Sequence, residues 1–408
     1  MAVPALATLP PGSMTTAHSS CGTWLFVSPW ELHHPGGVNQ VVESLFDANV
    51  QVLRNRSLLL IKSWKAGRPK VVQIDGRRTT YGHCRSPWDD KRPVRNALAF
   101  LLELPATLAR FRGLLRREGV VRINVHFPEL DALIWLVLRA MFPTRPPLIL
   151  SFHGADLNLA AATRGVTRRL WLKLLTNADE IVFCSEQLRL EFEQAFGPMR
   201  HLRVIDNGVD PELIVVKTAA PSPIEVPQKC IVSLATFEDK KGLDVLLQAF
   251  DSVALSDPDV HLVIAGRVTS ADMFEDFERQ RQQLRHGDRV RLLKDVDHGA
   301  AMRLLQHARV FVLPSRSEPF GIVVLEAGAL GRPVVATSAC GVSRRLCDGT
   351  DLLVVPPDDA PALTAAIERV LGDAVLAERL ATSLRRRVLS DFTWARIVHR
   401  YAALGAHK

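Results

Sequence analysis

The sequence predicts an α/β protein of two doubly wound domains, each built on a parallel sheet, facing one another across a cleft. Three observations lead there. The chain has 408 residues, a length that suits two domains, each large enough to bury its own core. From residue 22 onward, short β-branched runs alternate with longer stretches whose apolar residues recur every three and four positions, the pattern of strands joined by helical crossovers. After Gln228 the alternation starts again.

Residues 1–21 have no basic start, and their apolar residues are broken by prolines, so they read as a loose extension and not a signal peptide. In the first domain, residues 22–215, the runs 23–28, 121–125, 147–152, 180–184 and 203–206 read as buried strands. Residues 94–118 and 167–177 read as amphipathic helices. The stretch 216–228 (VKTAAPSPIEVPQ) is rich in Pro and Ala and lacks a period, which marks a linker. In the second domain, 229–388, strands at 230–234, 261–265, 290–293, 310–313 and 333–337 alternate with helices at 243–255, 274–285, 300–307 and 321–329. Parallel sheets with right-handed crossovers collect ligands at the carboxyl ends of their strands, so chemistry is to be sought in the loops there.

Composition narrows the partners. With 47% hydrophobic and 23% charged residues, collagen, coiled coil and wholesale disorder are excluded. A formal net charge of +8 favours anionic partners: phosphate ligands, nucleic acid or an anionic membrane face. Only 6% of residues are aromatic, which weighs against a nucleic-acid surface. The six cysteines are scattered without a CxxC pair, so neither a disulfide framework nor a zinc knuckle is expected, and a reducing compartment fits. The most apolar run, 132–142, contains Arg139 and is far short of the ~20 residues a spanning helix needs. A cytoplasmic protein is expected, at most peripheral at the inner face of the membrane.

The most informative stretch is 313–337, LPSRSEPFGIVVLEAGALGRPVVAT. A strand ends at Leu313, a loop carries Glu318, and Pro319-Phe320-Gly321 opens a helix on whose second turn Glu326 lies. Pro319 suits a helix start, and Gly321 lets a ligand approach the backbone. The unbonded N–H groups at Gly321, Ile322 and Val323 would face an anion, aided by the helix dipole. Taken alone, Glu318 and Glu326 would be an ordinary loop acid and helix acid. Glu326, however, sits inside the apolar run IVVLEAGAL, where an unpaired carboxylate is costly to bury.

This segment resembles the Glu–seven residues–Glu motif of the retaining glycosyltransferases of family four, also called glycosyl transferases group 1, which have the GT-B fold. Five further strings follow in the family's order. Pro35-Gly36-Gly37-Val38 resembles its N-terminal Gly-Gly loop, His153-Gly154-Ala155-Asp156 its His-Gly-x-Asp segment, and Asn207-Gly208-Val209-Asp210 its Asn-Gly-x-Asp turn. Lys240-Lys241-Gly242-Leu243-Asp244 resembles its Lys-Gly element and Phe392-Thr393-Trp394 its closing helix. The resemblance spans residues 22–400 and implies that residues 389–408 form a helix crossing back to the first domain. It also implies an enzyme that moves a sugar from a nucleotide diphosphate sugar to an acceptor hydroxyl of a glycan, glycolipid or small molecule, with retention and without a cofactor or metal. His153 and Asp156 would sit by the donor sugar near its anomeric carbon, Glu318 would bind the sugar's hydroxyls and Glu326 the ribose. Gly36, Gly37, Asn207, Lys241, Phe320, Gly321, Ile322 and Val323 would complete the donor site.

Three departures stand out. The family's Gly-Arg before the Lys-Gly element is Ala235-Thr236, which removes one cation, for which Arg267 is a candidate replacement. Its Gly-Gly-x-x-Glu becomes Cys340-Gly341-Val342-Ser343-Arg344, and Asp351 replaces a common glycine. Arg110, Arg112, Arg116, Arg117 and Arg122 read either as a solvated helix face or, since lipid-linked acceptors are common in the family, as a strip facing an anionic membrane. His126 ends a strand and reads as packing or as an acceptor contact. His33-His34 has no partner at ligand spacing. Asp295-Val296-Asp297 reads as a solvated acidic loop, with Mg²⁺ binding the lesser alternative. Rival functions are an epimerase or hydrolase on the same fold, a non-catalytic nucleotide-sugar binder, and a charge-driven nucleic-acid binder, whose affinity would fall steeply with salt.

Overall fold

The computed structural model describes residues 22–31, 36–63, 69–218 and 226–405. The N-terminal extension, His33-His34, Pro35 and residues 219–225 of the linker therefore lie outside the described residues. In chain order the first domain comprises β1 (Thr23–Ser28), α1 (Gly37–Gln51), β2 (Arg56–Lys62), β3 (Val72–Ile74), β4 (Arg77–Gly82), α2 (Pro93–Glu118), β5 (Val120–His126), α3 (Leu133–Ala140), β6 (Leu148–Phe152), α4 (Ala155–Ala161), α5 (Gly165–Asn177), β7 (Glu180–Phe183), α6 (Glu186–Phe196) and β8 (Leu202–Val204); α7 (Pro211–Thr218) follows and packs on helices of the second domain. The second comprises β9 (Cys230–Leu234), α8 (Leu243–Ser256), β10 (His261–Gly266), α9 (Ala271–Gln283), β11 (Val290–Lys294), α10 (His298–His307), β12 (Val310–Leu313), α11 (Ile322–Ala329), β13 (Val334–Thr337), β14 (Leu353–Val355), α12 (Ala360–Gly372) and α13 (Ala374–Asp391). A last helix, α14 (Trp394–Ala402), follows.

Among the described residues the first sheet has the order β3-β4-β2-β1-β5-β6-β7-β8 and the second β11-β10-β9-β12-β13-β14. All pairings are parallel except β3 with β4. In each sheet the order reverses beside the first strand, between β1 and β5 and between β9 and β12. That reversal leaves a crevice at the strands' carboxyl ends where ligands of doubly wound sheets bind. The strands β1, β6, β7, β12 and β13 are buried throughout. Their residues read as near-continuous apolar runs because helices cover both faces.

The structure adds elements that the sequence does not signal by alternation. β2 is a continuous apolar run, LLLI, whose period does not tell strand from helix. β3 and β4 form a polar hairpin closed by Asp75-Gly76, both at positive φ, and β14 has only three residues. The stretch that reads as linker also begins later, because α7 runs to Thr218.

α14 belongs spatially to the first domain. Trp394, Ile397, Val398 and Tyr401 share one buried cluster with Phe26, Val42 and Phe46. Its carboxyl end is held by Arg122 of β5, which donates to the carbonyls of Tyr401, Ala402 and Leu404 and lies over the Trp24 ring. Burial lowers the Arg122 pKa to about 10, still well above neutrality. Arg122 is therefore not part of an exposed basic strip. It satisfies helix-terminal carbonyls that would otherwise lack donors. Replacing Arg122 with Ala is expected to cost about 2 kcal/mol, typical of charged hydrogen bonds, and to lower the melting temperature by about 4–8 °C. A calorimetric scan of the variant that overlays the wild type would refute this account of how α14 is anchored.

Candidate active site

The loop from Leu313 to Ile322 is built by a strand end, a glycine turn and a helix start. α11 begins at Ile322, one residue later than the sequence suggests, with Gly321 as its N-cap at φ 94°. A Cβ at Gly321 would lie 2.5 Å from Cys340 Sγ, so both the conformation and the space demand glycine. Pro319 does not start the helix. Its ring packs instead against Gly154 of the first domain, where an added Cβ would come within 2.4 Å of Pro319 Cγ. The loop is zipped to the segment after β13: Glu318 N donates to Ala339 O, Gly341 N to Glu318 O and Val342 N to Phe320 O.

Across this loop lies the turn after β9. Lys241 Nζ meets Glu318 Oε2 at 2.6 Å, and both side chains are largely buried. Gly242 has φ 61°, and a Cβ there would strike Pro314 O at 2.2 Å, which explains the Lys-Gly pairing. Arg316 ties the two turns together. Its guanidinium makes a two-pronged bond to Asp244 at 2.7 and 2.8 Å and donates to Asp239 O, while its N–H donates to Lys240 O. Arg316 is not evident as a site residue from sequence alone. Its signal was an arginine in the loop with Asp244 just beyond the Lys-Gly element.

Glu326 is 4% exposed. Its Oε1 accepts a hydrogen bond from Gln40 Nε2 of α1 at 2.8 Å and lies 2.9 Å from His298 Nε2 at the start of α10. One buried carboxylate is thus satisfied from both domains. His298 owes its place to Asp297, which caps α10 by accepting from Ala300 N, while Asp295 accepts from Val268 N. The acidic loop that raised the Mg²⁺ alternative is thus engaged with backbone. Among the described residues no cluster of three or more His, Cys, Asp or Glu side chains suited to a metal is present.

In the first domain, the Asp156 carboxylate accepts from the N–H groups of His153, Gly154 and Leu157 at 2.8–3.0 Å. Burial pushes its pKa up to about 7 against those donors, which favour the anion. His153 stacks on His126, with Nε2 3.2 Å from His126 Nδ1. Burial lowers the His153 pKa to about 4 and the His126 pKa well below its ordinary value. His126 is fully buried against Phe26 and reaches the cleft only through His153.

Gly37, His153, Asn207, Lys241, Glu318, Phe320, Gly321, Ile322, Val323 and Glu326 line one cavity of about 330 Å³. Gln40 and Cys184 join them. Two candidates fall outside it: Gly36 is exposed beside it, and Asp156 lines a neighbouring cavity. The Asn207 turn meets the Phe392-Thr393-Trp394 string directly, with Val209 N donating to Phe392 O and Trp394 N to Val209 O.

Residues 217–387 match the family described as Glycosyl transferases group 1, and residues 50–213 match Glycosyltransferase Family 4. The chain belongs to the group 1 glycosyltransferases. It is 33% identical over 222 residues to a glycogen synthase of Mycobacterium tuberculosis, an alignment covering 54% of this chain and 52% of that one; the chain thus matches about half the length of that relative. It is 27% identical over 379 residues to a phosphatidyl-myo-inositol mannosyltransferase of Mycolicibacterium smegmatis, covering 89% and 88% of the two chains. Sucrose-phosphate synthase from Thermosynechococcus elongatus superposes with a TM-score of 0.71 over 94% of this chain and 98% of that one, at 22% identity. HepE from Anabaena, in complex with UDP and glucose, gives 0.69 over 93% and 98%, at 17% identity. These likenesses show the GT-B fold.

Within this group 1 glycosyltransferase the unusual positions have structural consequences. Arg344, where the family's glutamate is expected, is exposed on a short turn and does not line the cavity. Asp351 is buried and fixes its turn, accepting from Cys347 N and Ser383 Oγ. The low pKa of His153 has a direct test. In ¹⁵N-labelled protein, assigned by loss of the signal in His153→Asn, the His153 imidazole should stay neutral between pH 5 and 8 and titrate near 4. A midpoint near 6.5, the ordinary value, would show that it is solvated.

Proposed function

We propose that the chain transfers a sugar from a nucleotide diphosphate sugar to an acceptor hydroxyl, with retention of anomeric configuration and without a metal ion. The observation that carries this reading is the convergence, in one cavity, of Glu326, Glu318, Lys241 and the uncapped amino end of α11, with His153 opposite. A helix N-terminus and a lysine suit a diphosphate, and two carboxylates flanking them suit the hydroxyls on either side of it. The GT-B likeness and the UDP and glucose named for HepE support a nucleotide-sugar donor.

On this reading the ribose hydroxyls donate to Glu326 in place of Gln40 and His298, and the sugar hydroxyls engage Glu318. As the bond from the anomeric carbon to the diphosphate oxygen breaks, negative charge grows on that oxygen. Lys241, the N–H groups of Ile322 and Val323 and the backbone at Gly37 stabilise it there. The acceptor oxygen forms its bond to the anomeric carbon on the same face, and its proton passes to the departing phosphate oxygen. No carboxylate acts as nucleophile. His153, kept neutral by burial, contributes hydrogen bonding and no charge beside the sugar. The loops drawn together at Gly154 and Pro319 keep water from the anomeric carbon.

Donor class is read by thermal shift against UDP, GDP, ADP and their sugars. At ~100 times the dissociation constant a ligand adds ~2.7 kcal/mol, about 5–11 °C at 2–4 °C per kcal/mol. One nucleotide series should shift the wild type and leave Glu326→Ala unmoved; no shift with any series would remove the donor reading. Turnover of the donor with no acceptor present would instead favour the epimerase or hydrolase alternative.

A peripheral membrane contact has support of its own. α2 exposes Val94, Leu98, Leu101 and Leu102, the last at 82%, and Arg110, Arg116 and Arg117 are exposed farther along it. An apolar stripe beside arginines suits an interfacial helix on anionic lipid. Among the described residues no helix is long and apolar enough to cross a membrane. In co-sedimentation with phosphatidylglycerol vesicles, Leu98→Glu with Leu102→Glu should weaken binding roughly tenfold or more, since each leucine contributes about 1.5–3 kcal/mol when buried. Equal sedimentation of both proteins would refute the contact.

A further inference from the structure

Three rings stand in a row across neighbouring strands of the first sheet. Phe26 belongs to β1, which pairs with β5, and His126 closes β5 opposite Ser151 of β6. His153 follows Ser151 by two residues, the spacing that returns a side chain to the same face. The rings stack, with centroids 6.3 Å apart from Phe26 to His126 and 5.4 Å from His126 to His153. The row thus runs from the core, where Phe26 packs on Phe46, to the cavity that His153 lines. His126, fully buried, is its middle member.

Where the protons sit in this row follows from its hydrogen bonds. One bond joins the two imidazoles, between His126 Nδ1 and His153 Nε2 at 3.2 Å. Burial keeps both rings neutral at pH 7, so each carries one proton, and one of the facing nitrogens must donate to the other. If His153 donates, His126 must carry its own proton at Nε2, which is buried and has no hydrogen-bond partner among the described residues. If His126 donates from Nδ1, its orphan is a bare nitrogen, and His153 carries its proton at Nδ1. A buried N–H without an acceptor is the orphan that native proteins avoid most. That penalty exceeds the slight lean of free imidazole toward the Nε2–H form. The surroundings of His153 agree. The N–H groups of His153, Gly154 and Leu157, its nearest donors along the chain, go to Asp156, so none of these three is left to bond a bare Nδ1.

We infer that His126 is a positioning residue: it fixes His153 as the Nδ1–H tautomer, so that His153 offers the cleft a hydrogen-bond donor and not a base. The tautomer rests on the ring geometry, and its consequence rests on the transferase reading above. In that reaction the Nδ1–H bonds an oxygen of the donor sugar and cannot take the acceptor's proton, which leaves the departing phosphate oxygen to receive it. Which nitrogen of a histidine is protonated is set by the bond its other nitrogen makes. Without His126, His153 would exchange between its two forms.

The test uses the full chain, ¹⁵N-labelled at histidine and held near neutral pH, where long-range ¹H–¹⁵N correlation separates a protonated ring nitrogen from a bare one. His153 and His126 should each show a protonated Nδ1 and a bare Nε2. His126→Phe keeps a ring against Phe26 and removes the donor, so the two nitrogens of His153 should move to averaged positions. His126→Asn is smaller but offers an amide N–H near the place of Nδ1, and should restore the single form. A packing role alone reverses that order, since Phe preserves the stack and Asn does not. Calorimetric titration adds a second readout, with UDP-glucose, ADP-glucose and GDP-mannose set against UDP, ADP and GDP. His126→Phe should weaken the sugar nucleotide that binds by about fivefold, the worth of one hydrogen bond, and leave its nucleoside diphosphate unchanged; His126→Asn should recover most of the loss. A proton at His153 Nε2, averaged signals in the wild type, a spectrum unaltered in His126→Phe, an Asn variant that behaves as Phe does, or equal weakening of sugar nucleotide and diphosphate would each overturn the inference. If His126→Phe does not fold, the wild-type spectrum still decides the tautomer. Failure of every nucleotide to bind the wild type would count against the donor reading alone, with the ring spectra still deciding this one.

Discussion

A carboxylate buried in an apolar helix must find hydrogen bonds, because burial without them is among the larger penalties a fold can carry. At Glu326 the partners come from opposite domains, Gln40 from α1 and His298 from α10. The requirement couples the two sheets at one atom. It also explains why the seam is made of small or shape-matched groups. Gly154 faces the Pro319 ring, an added Cβ on Gly341 would fall 2.9 Å from Ser185 Cβ, and Asp206 takes Arg345 from the second domain and Arg400 from α14. A larger side chain at either glycine would hold the domains apart and leave Glu326 short of a donor.

The same logic explains why two short strings far apart in the chain belong together. Asn207-Gly208-Val209 and Phe392-Thr393-Trp394 exchange backbone hydrogen bonds, and a Cβ on Gly208 would come within 2.9 Å of Phe392 O. The turn that presents Asn207 to the cavity is thus held from behind by the start of α14. Arg122 secures the other end of that helix. The cleft therefore rests on a helix that follows the second domain in sequence and packs with the first in space, so its two walls share a brace.

What was legible in the sequence follows from what leaves a local trace. Buried parallel strands such as 23–28 and 310–313 are short apolar runs bounded by turns, and their bounds are those read from sequence. The Glu318–Glu326 stretch was legible because a carboxylate inside IVVLEAGAL conflicts with its surroundings. The β3–β4 hairpin went unread because its faces are polar, although its Asp75-Gly76 turn is a recognised hairpin signal. Gln40 and His298 left no trace, since a polar residue on an amphipathic helix ordinarily faces water, and only the assembled cleft turns them toward Glu326. His126 was read as packing or contact. It packs, and what it packs against is His153. Pro319 was misplaced for a related reason: its partner is a glycine 165 residues earlier in the chain.

The charged side chains of the cleft are paired with partners of their own, and this bears on how it would discriminate. Lys241 and Glu318 neutralise one another at 2.6 Å, and Glu326 holds Gln40 and His298. On the proposed reading, donor binding is an exchange of partners, so its net free energy is much smaller than the sum of the contacts formed. A nucleoside diphosphate alone would draw Lys241 toward its phosphates and leave Glu318 mostly buried with neither cation nor hydroxyl. The intact nucleotide sugar supplies both the phosphate for Lys241 and the hydroxyls for Glu318, and only then is every buried charge met. The pairing thus favours the whole donor over the nucleotide that remains after transfer, and product release restores the ion pair. On that reading Thr236 adds no cation, so the exchange falls on the groups that line the cavity, Lys241 and the amino end of α11.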